Sequence, residues 1–411
     1  MSQGYDAIIV GARCAGSPTA MHLARKGYRV LLVDKTTFPS DTMSTHMLHP
    51  PAVAALDRWG LLEKLEATGC PPVETYSFDF GPLTISGSPQ PVDGIARGYC
   101  PRRIILDQIL VDAAVEAGAE LREGFTVEEI LVEDGAVTGI SGHEKGGATV
   151  TERAQVVIGA DGKHSLMART VSPKQYNERP THLAQYYAYW SGLPVDGFVT
   201  TVRAEHRRGW AAIPTHDDLT VVPFGWPVEE FKANRKDVEG NFFKAIEHAP
   251  EFAERVHAAK RETRFVGTAE LPGYFRQPFG PGWALLGDAA YHKDPITAMG
   301  INDAFRDAEL VSRALHDLFA GRRSFAEGMA DYQELRDLAA TPVYEFTWDI
   351  ATLAPPPPET MRLLGAMHGN QEAMDGFVSV QANTLPAPEF FEPGNIGRIM
   401  AAAGAGADEP S

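Results

Sequence analysis

The chain has 411 residues, 44% of them hydrophobic and 22% charged, enough to bury a sizeable core in roughly two or three packed units. Its formal net charge of −17 disfavours a nucleic-acid partner, because phosphate backbones reward clustered Lys and Arg. No window approaches the ~18 uninterrupted apolar residues of a spanning helix, and three irregularly spaced cysteines, Cys14, Cys70 and Cys100, suit neither a disulfide framework nor a zinc site. A cytoplasmic protein with no export signal, membrane span or metal is expected.

An apolar run over residues 5–10 predicts a strand. Gly11, Arg13, Ala15 and Gly16 follow, then a helical spacing of Ala20, Leu23 and Ala24 closed by Gly27, then a strand over 28–33 ending on Asp34. This is the order of a nucleotide-binding βαβ unit. The first glycine permits the tight turn, the last permits close helix-on-strand packing, and the helix N-terminus offers N–H groups to a pyrophosphate. Asp34 is placed to bond an unphosphorylated ribose, which favours FAD or NAD over NADP at this site. Arg13 stands where the middle glycine is usual, and its guanidinium either meets a phosphate or points outward. The loop that follows, KTTFPSDTMSTHMLHPP, is rich in hydroxyls and holds His46 and His49.

Residues 72–97 alternate apolar and polar with Gly and Pro turns, which reads as strand. The helix expected in PRRIILDQILVDAAVEAGAEL starts on Arg102 and Arg103, unfavourable with the helix dipole unless an anion lies nearby. At 156–158 an apolar strand delivers the Asp161-Gly162 turn. Strands are expected at 183–190, 198–203, 209–213 and 219–224, and helices within 227–261. Tyr187 and Tyr189 share a face by the two-residue period. With Trp210, Phe224 and Trp226 they either line an apolar cavity for a flat substrate or belong to the core. A strand at 283–286 delivers Gly287-Asp288. A helix follows Gly300, residues 331–352 continue helically, four prolines at 355–358 break the chain, and the tail AAAGAGADEPS is expected to be disordered.

VVIGADGKHSLMAR at 156–169 resembles the DG motif of flavoprotein aromatic hydroxylases, with Asp161, Gly162, Ser165 and Arg169 matching. LLGDAAYHKDPITAMGINDA at 285–304 resembles their second FAD motif at Gly287, Asp288, Pro295, Gly300 and Asn302, and Arg103 fits their arginine-led helix. The resemblance covers about residues 5–330 and implies the mixed α/β p-hydroxybenzoate hydroxylase fold. A discontinuous Rossmann-like FAD domain (1–71, 98–180, 262–330) is then interrupted by an antiparallel substrate-binding sheet (72–97, 181–261) and followed by a helical appendage (331–411). Lys35 and Ile301 join the matched residues as expected cofactor contacts.

The implied activity is monooxygenation of an aromatic or polyketide-like small molecule, using O2 and NADH or NADPH through a flavin C4a-oxygen adduct. The cofactor carries the hard chemistry, so no catalytic dyad is required. His46, His292, Tyr187, Tyr189 and Trp210 are the pocket candidates. His46 either contacts flavin or substrate or bonds within its loop, and His292, four residues after Asp288, belongs near the flavin edge or on a surface loop. FAD-dependent reduction of prenyl (geranylgeranyl-type) double bonds is the alternative. Flavin halogenases commonly carry WxWxIP and need a lysine near the substrate, whereas this chain has GWAAIP at 209–214 and no lysine between Thr36 and Arg58. A non-catalytic flavin-binding module is the remaining alternative, and a homodimer is left open.

Overall fold

The computed structural model describes residues 4–406. Five parallel strands lie in the order Trp283–Leu285, Val150–Gly159, Tyr5–Val10, Val30–Val33 and Glu120–Arg122. The central strands are apolar on both faces because both are covered. Ile9, Leu32 and Ile158 pack with the helices Gly16–Ala24, Arg103–Glu116 and Gly300–Phe319. Ile8, Leu31 and Val157 pack against Phe125, Ile130 and Ile140 of the antiparallel pair Phe125–Glu133 and Ala136–Glu144. A mixed α/β architecture results, as expected.

The second sheet runs Lys260–Arg261, Leu183–Ser191, Thr220–Pro227, Arg208–Pro214, Phe198–Arg203, Tyr76–Asp79 and Thr84–Gly87. It is antiparallel except for Phe198–Arg203 beside Tyr76–Asp79, which pair in parallel. That exception joins the two separated segments of sequence, where no hairpin dictates direction. Val266–Thr268 also pairs with Leu183–Ser191, so the sheet takes in residues beyond the expected limit at 261. Its strands alternate. Tyr187, Tyr189, Phe198, Ala211 and Ile213 face one way, while Tyr186, Trp190, Trp210, Phe224 and Trp226 pack on the helices Val238–Ile246 and Pro250–Ala258.

The C-terminal part is no appendage. The helix Phe325–Ile350 starts at a Ser324/Glu327 capping box and packs along Gly300–Phe319. Leu363, Met367, Phe377, Val378 and Phe390, from the helices that follow, belong to the same apolar cluster as Tyr187 and Phe198. The sheet's second face is thus closed by chain that lies after the four prolines. Helix Pro393–Gly406 runs into the stretch expected to be disordered, and 407–411 lie outside the described residues. Among the described residues no helix is long and apolar enough to cross a membrane.

Candidate functional site

The parallel strands end together, at Val10, Gly159 and Leu285, and the three motifs converge on that edge. Gly11 has φ +107°, and a Cβ there would come within 2.4 Å of the Ala160 carbonyl. A Cβ on Gly16 would lie 1.8 Å from the Gly11 carbonyl, so helix and strand meet as closely as backbone allows. Gly287, at φ +59°, would place a Cβ 3.1 Å from that of Ala15. First loop and second motif therefore abut, although most of the chain lies between them.

Asp34 accepts from the Ala12 N–H and the Thr36 N–H, each at 2.8 Å, which fixes its carboxylate at the lip of the first loop. Lys35 beside it is exposed. Arg13 does not point outward: it donates to Asp107 at 2.5 Å and to the Ser40 carbonyl at 3.3 Å, and lies over the Phe38 ring. Arg103 clasps the same Asp107 through bonds of 2.9 and 3.0 Å, one turn along its own helix. The anion needed to tolerate an arginine at that helix N-terminus is thus Asp107, which is wholly buried. Arg103 also feels the charge of Asp288. Arg102 takes another path, to Asp217 at 3.0 Å and over the Tyr189 ring.

Asp161 bonds the Leu166 N–H at 2.7 Å through one oxygen, and the other is buried without a partner. Burial raises its pKa. Ser165 caps the short helix Leu166–Val171. Arg169 is exposed and bonds the carbonyl of His164 in its own loop. Asp288 sits exposed in the turn Gly287–Ala289, held through its carbonyl by the Tyr274 hydroxyl at 2.7 Å. Pro295 opens the turn Pro295–Thr297 that leads to Gly300, the first residue of a 20-residue helix. Gly300 is exposed, with open space where a Cβ would stand; Ile301 is buried; and Asn302 accepts from the Ala52 N–H at 3.1 Å while its Nδ2 has no partner.

Two orphaned polar atoms, on Asp161 and Asn302, and open space at a helix N-terminus thus flank the convergence of the glycine turns. The donor set fits a flavin dinucleotide: Asp34 would hold a ribose, N–H groups at Gly16 a pyrophosphate and Asp288 the ribityl chain, with the Gly300 N-terminus left for the ring. Behind it, buried Lys293 bonds Asp303 and, at 2.6 Å, the Tyr291 hydroxyl. Arg306 reaches Asp303 at 2.9 Å and Asp307 at 2.8 Å. Burial opposes ionisation of Asp303, but Lys293 and Arg306 outweigh it and hold its pKa low. This cluster ties the Gly300 helix to the second motif.

Beside that turn lies a cleft between the inner face of the second sheet and Pro295, Ile296 and Ala298. Phe198, Ala211, Ile213 and Pro223 make it largely apolar; Thr45, Gln185 and Thr200 are its polar side chains. His46 is nearby and wholly buried, at φ +64°. Its Nε2 shares a hydrogen bond of 2.7 Å with the Tyr189 hydroxyl, its Nδ1 has no partner, and Tyr187 meets the ring edge-on. Burial, then Arg103 and Arg102, press its pKa down to about 3, so it is a neutral imidazole. His292 turns to the Pro272 carbonyl at 2.6 Å and stacks on Tyr274, between strands rather than into the cleft. The Trp210 ring stacks on Phe252 in the opposite cluster, so strand alternation puts its side chain, with Phe224 and Trp226, on the helix-covered face. Gln185 and Asp294, joined at 2.6 Å, were not singled out from sequence because they lie 109 residues apart and in no shared motif.

The FAD binding domain family model matches residues 4–347. The chain belongs to that family. Among characterised relatives it is 24% identical to a 1H-pyrrole-2-carbonyl-[peptidyl-carrier protein] brominase of Pseudoalteromonas luteoviolacea, over 78% of this chain and 79% of that one. It is 26% identical to a digeranylgeranylglycerophospholipid reductase of Methanocella arvoryzae (82% and 84%) and 27% identical to a 6-methylpretetramide 4-monooxygenase of Streptomyces rimosus (74% and 73%). A solved myxobacterial chondrochloren halogenase superposes with a TM-score of 0.78 at 22% identity, over 98% of this chain and 97% of that one. The shared features are a fold and a flavin site, and the relatives' reactions differ.

Proposed function

We propose that this flavoprotein is a monooxygenase that uses NADH or NADPH and O2 to hydroxylate an apolar, aromatic or polyketide-like small molecule. The observation that carries the reading is the largely apolar cleft closed on one side by the Pro295–Ala298 turn of the second flavin motif. A flat apolar molecule in that cleft lies against the segment that opens toward the flavin ring, which is where oxygen transfer needs it. Among the described residues no lysine lines the cleft, and buried Lys293 is engaged by Asp303 and Tyr291, so the feature expected of a halogenase is not supported.

When bound, FAD supplies the two-electron redox and oxygen chemistry. The chain's own residues bind, orient and exclude water. The apolar walls keep water from the reacting centre, and the Gly300 helix N-terminus favours negative charge near the ring. The neutral His46–Tyr189 pair can hold a proton between Nε2 and the phenol oxygen without placing a charge in the cavity. In sum, one C–H becomes C–OH, the second oxygen atom leaves as water, and NAD(P)H is the electron donor.

Stopped-flow absorbance of the FAD-loaded protein tests this. NADH or NADPH should reduce the flavin directly, and aromatic ligands of the cleft should accelerate the reduction. Reduction only by an added flavin reductase would contradict the single-component scheme. Saturation of a prenyl double bond under anaerobic conditions would favour the reductase alternative.

A further inference from the structure

Gln185 connects the cleft to a buried acid. It stands in the cleft wall with Leu183 and Pro223, and its Nε2 donates to Asp294 Oδ1 at 2.6 Å. Asp294 is buried, and the same Oδ1 accepts the Ile296 N–H at 3.0 Å. Its Oδ2 has no hydrogen-bond partner. The cations beside it are committed elsewhere, Lys293 to Asp303 and Arg179 to Glu345 at 3.2 Å.

This arrangement fixes which end of the Gln185 amide faces which way. A carboxylate only accepts, so the amide nitrogen must be the end that meets Asp294. If the carboxyl takes up a proton, the proton goes to the unencumbered Oδ2, and Oδ1 stays an acceptor for both N–H groups. Burial raises the Asp294 pKa to about 7, so both forms are present near neutrality, and the amide has the same orientation in each. Among the described residues none donates to the remaining Gln185 oxygen. Thr45 and Thr200 are rotating hydroxyls that donate or accept as required and so discriminate little.

We propose that Gln185 is a specificity-determining residue. Its amide oxygen, held in place by the bond to Asp294, accepts a hydrogen bond from a hydroxyl or N–H group on an otherwise apolar aromatic substrate. The proposal rests on the monooxygenase reading only in taking the cleft as the substrate site. A molecule lacking the donor leaves a carbonyl unpaired in an apolar cavity and binds more weakly.

The test is equilibrium binding to the FAD-loaded protein without NAD(P)H, read by calorimetry and by perturbation of the flavin spectrum. The probes are 2-naphthol, 2-methoxynaphthalene and naphthalene. The wild type should bind 2-naphthol about threefold to tenfold more tightly than 2-methoxynaphthalene, against the order of their hydrophobicity. Gln185→Met should abolish that preference and raise naphthalene affinity, because no carbonyl is then left unpaired, with FAD content unchanged. Equal affinity for the two probes in the wild type overturns the proposal even if the variant does not fold, and so does a preference that survives in Gln185→Met. If none of the three binds, the cleft is not an aromatic site and the monooxygenase reading fails with it.

Discussion

Arg13 donates to Asp107 at 2.5 Å across 94 residues of sequence. An arginine at the place of the usual middle glycine is therefore paired with a carboxylate of this chain. It pins the first loop to the helix Arg103–Glu116, and Arg103 shares the same carboxylate. Asp107→Ala removes the counter-charge of both arginines, one of them buried, and should lower unfolding free energy by about 3 kcal/mol, as breaking a buried pair does. Urea unfolding measures it. FAD affinity should fall as well, because both loop and helix lose their anchor. Unchanged stability would mean that solvent replaces the carboxylate at no cost.

Asp288 and His292 lie close in sequence and do different things. Asp288 is exposed at the converging motifs near Arg103, whereas His292 is spent on the Pro272 carbonyl. Titration of apoprotein with FAD should show a much larger loss for Asp288→Ala than for His292→Ala. Asp34→Ala should weaken FAD by about 1.5–3 kcal/mol through loss of a charge-assisted contact. Equal FAD affinity of the wild type and the Asp288 variant would refute the role given to the second motif.

The flavin side of the molecule was legible in sequence because each of its parts is a short motif with its own mechanism. Gly11, Gly16 and Gly287 had to be glycine, and Asp34 had to follow its strand, so local spacing carried the information. The substrate side was legible only as strands. Strand period placed Tyr187 and Tyr189 together, but not which face of the sheet met the cleft: Trp210 borders the cleft while its ring packs on Phe252 on the other face. The contribution of Leu363, Met367 and Phe377 to the same core was invisible, because nothing local announces where a helix docks after four prolines. Gln185 and Asp294 are a long-range pair of unremarkable residue types.

Asp294 gives stability a pH dependence of definite sign. Burial raises its pKa to about 7, so between pH 4 and 7 the folded protein keeps a proton that the unfolded chain releases. This contribution is intact below about pH 4 and is lost as pH rises to about 7. Asp294→Asn removes it and can still accept from Gln185. The variant should therefore gain on the wild type, by on the order of 4 kcal/mol between pH 4 and 8 in urea unfolding. Lys293, Arg179 and His182 are the same in both proteins, so the comparison cancels their direct contributions. A difference that does not vary with pH would contradict burial of an uncompensated carboxyl.

Arg169 closes the DG motif on the surface, bonded only to its own loop. On the proposed reading a nicotinamide dinucleotide would meet it there, and it does not bond the buried Asp161 oxygen. Arg169→Ala should slow flavin reduction by NADH or NADPH while leaving the FAD dissociation constant nearly unchanged. A loss of FAD with no kinetic effect on the remaining holoprotein would assign it to the flavin instead.

The most direct measurement of the central claim is mass spectrometry of the product formed under 18O2. The FAD-loaded protein, NADPH or NADH and an aromatic ligand of the cleft are incubated with bromide present. The account predicts a hydroxylated product carrying one 18O atom and no bromine, and the label should be absent when 16O2 and 18O-water are used instead. A brominated product, or a reduced one without oxygen, would contradict it.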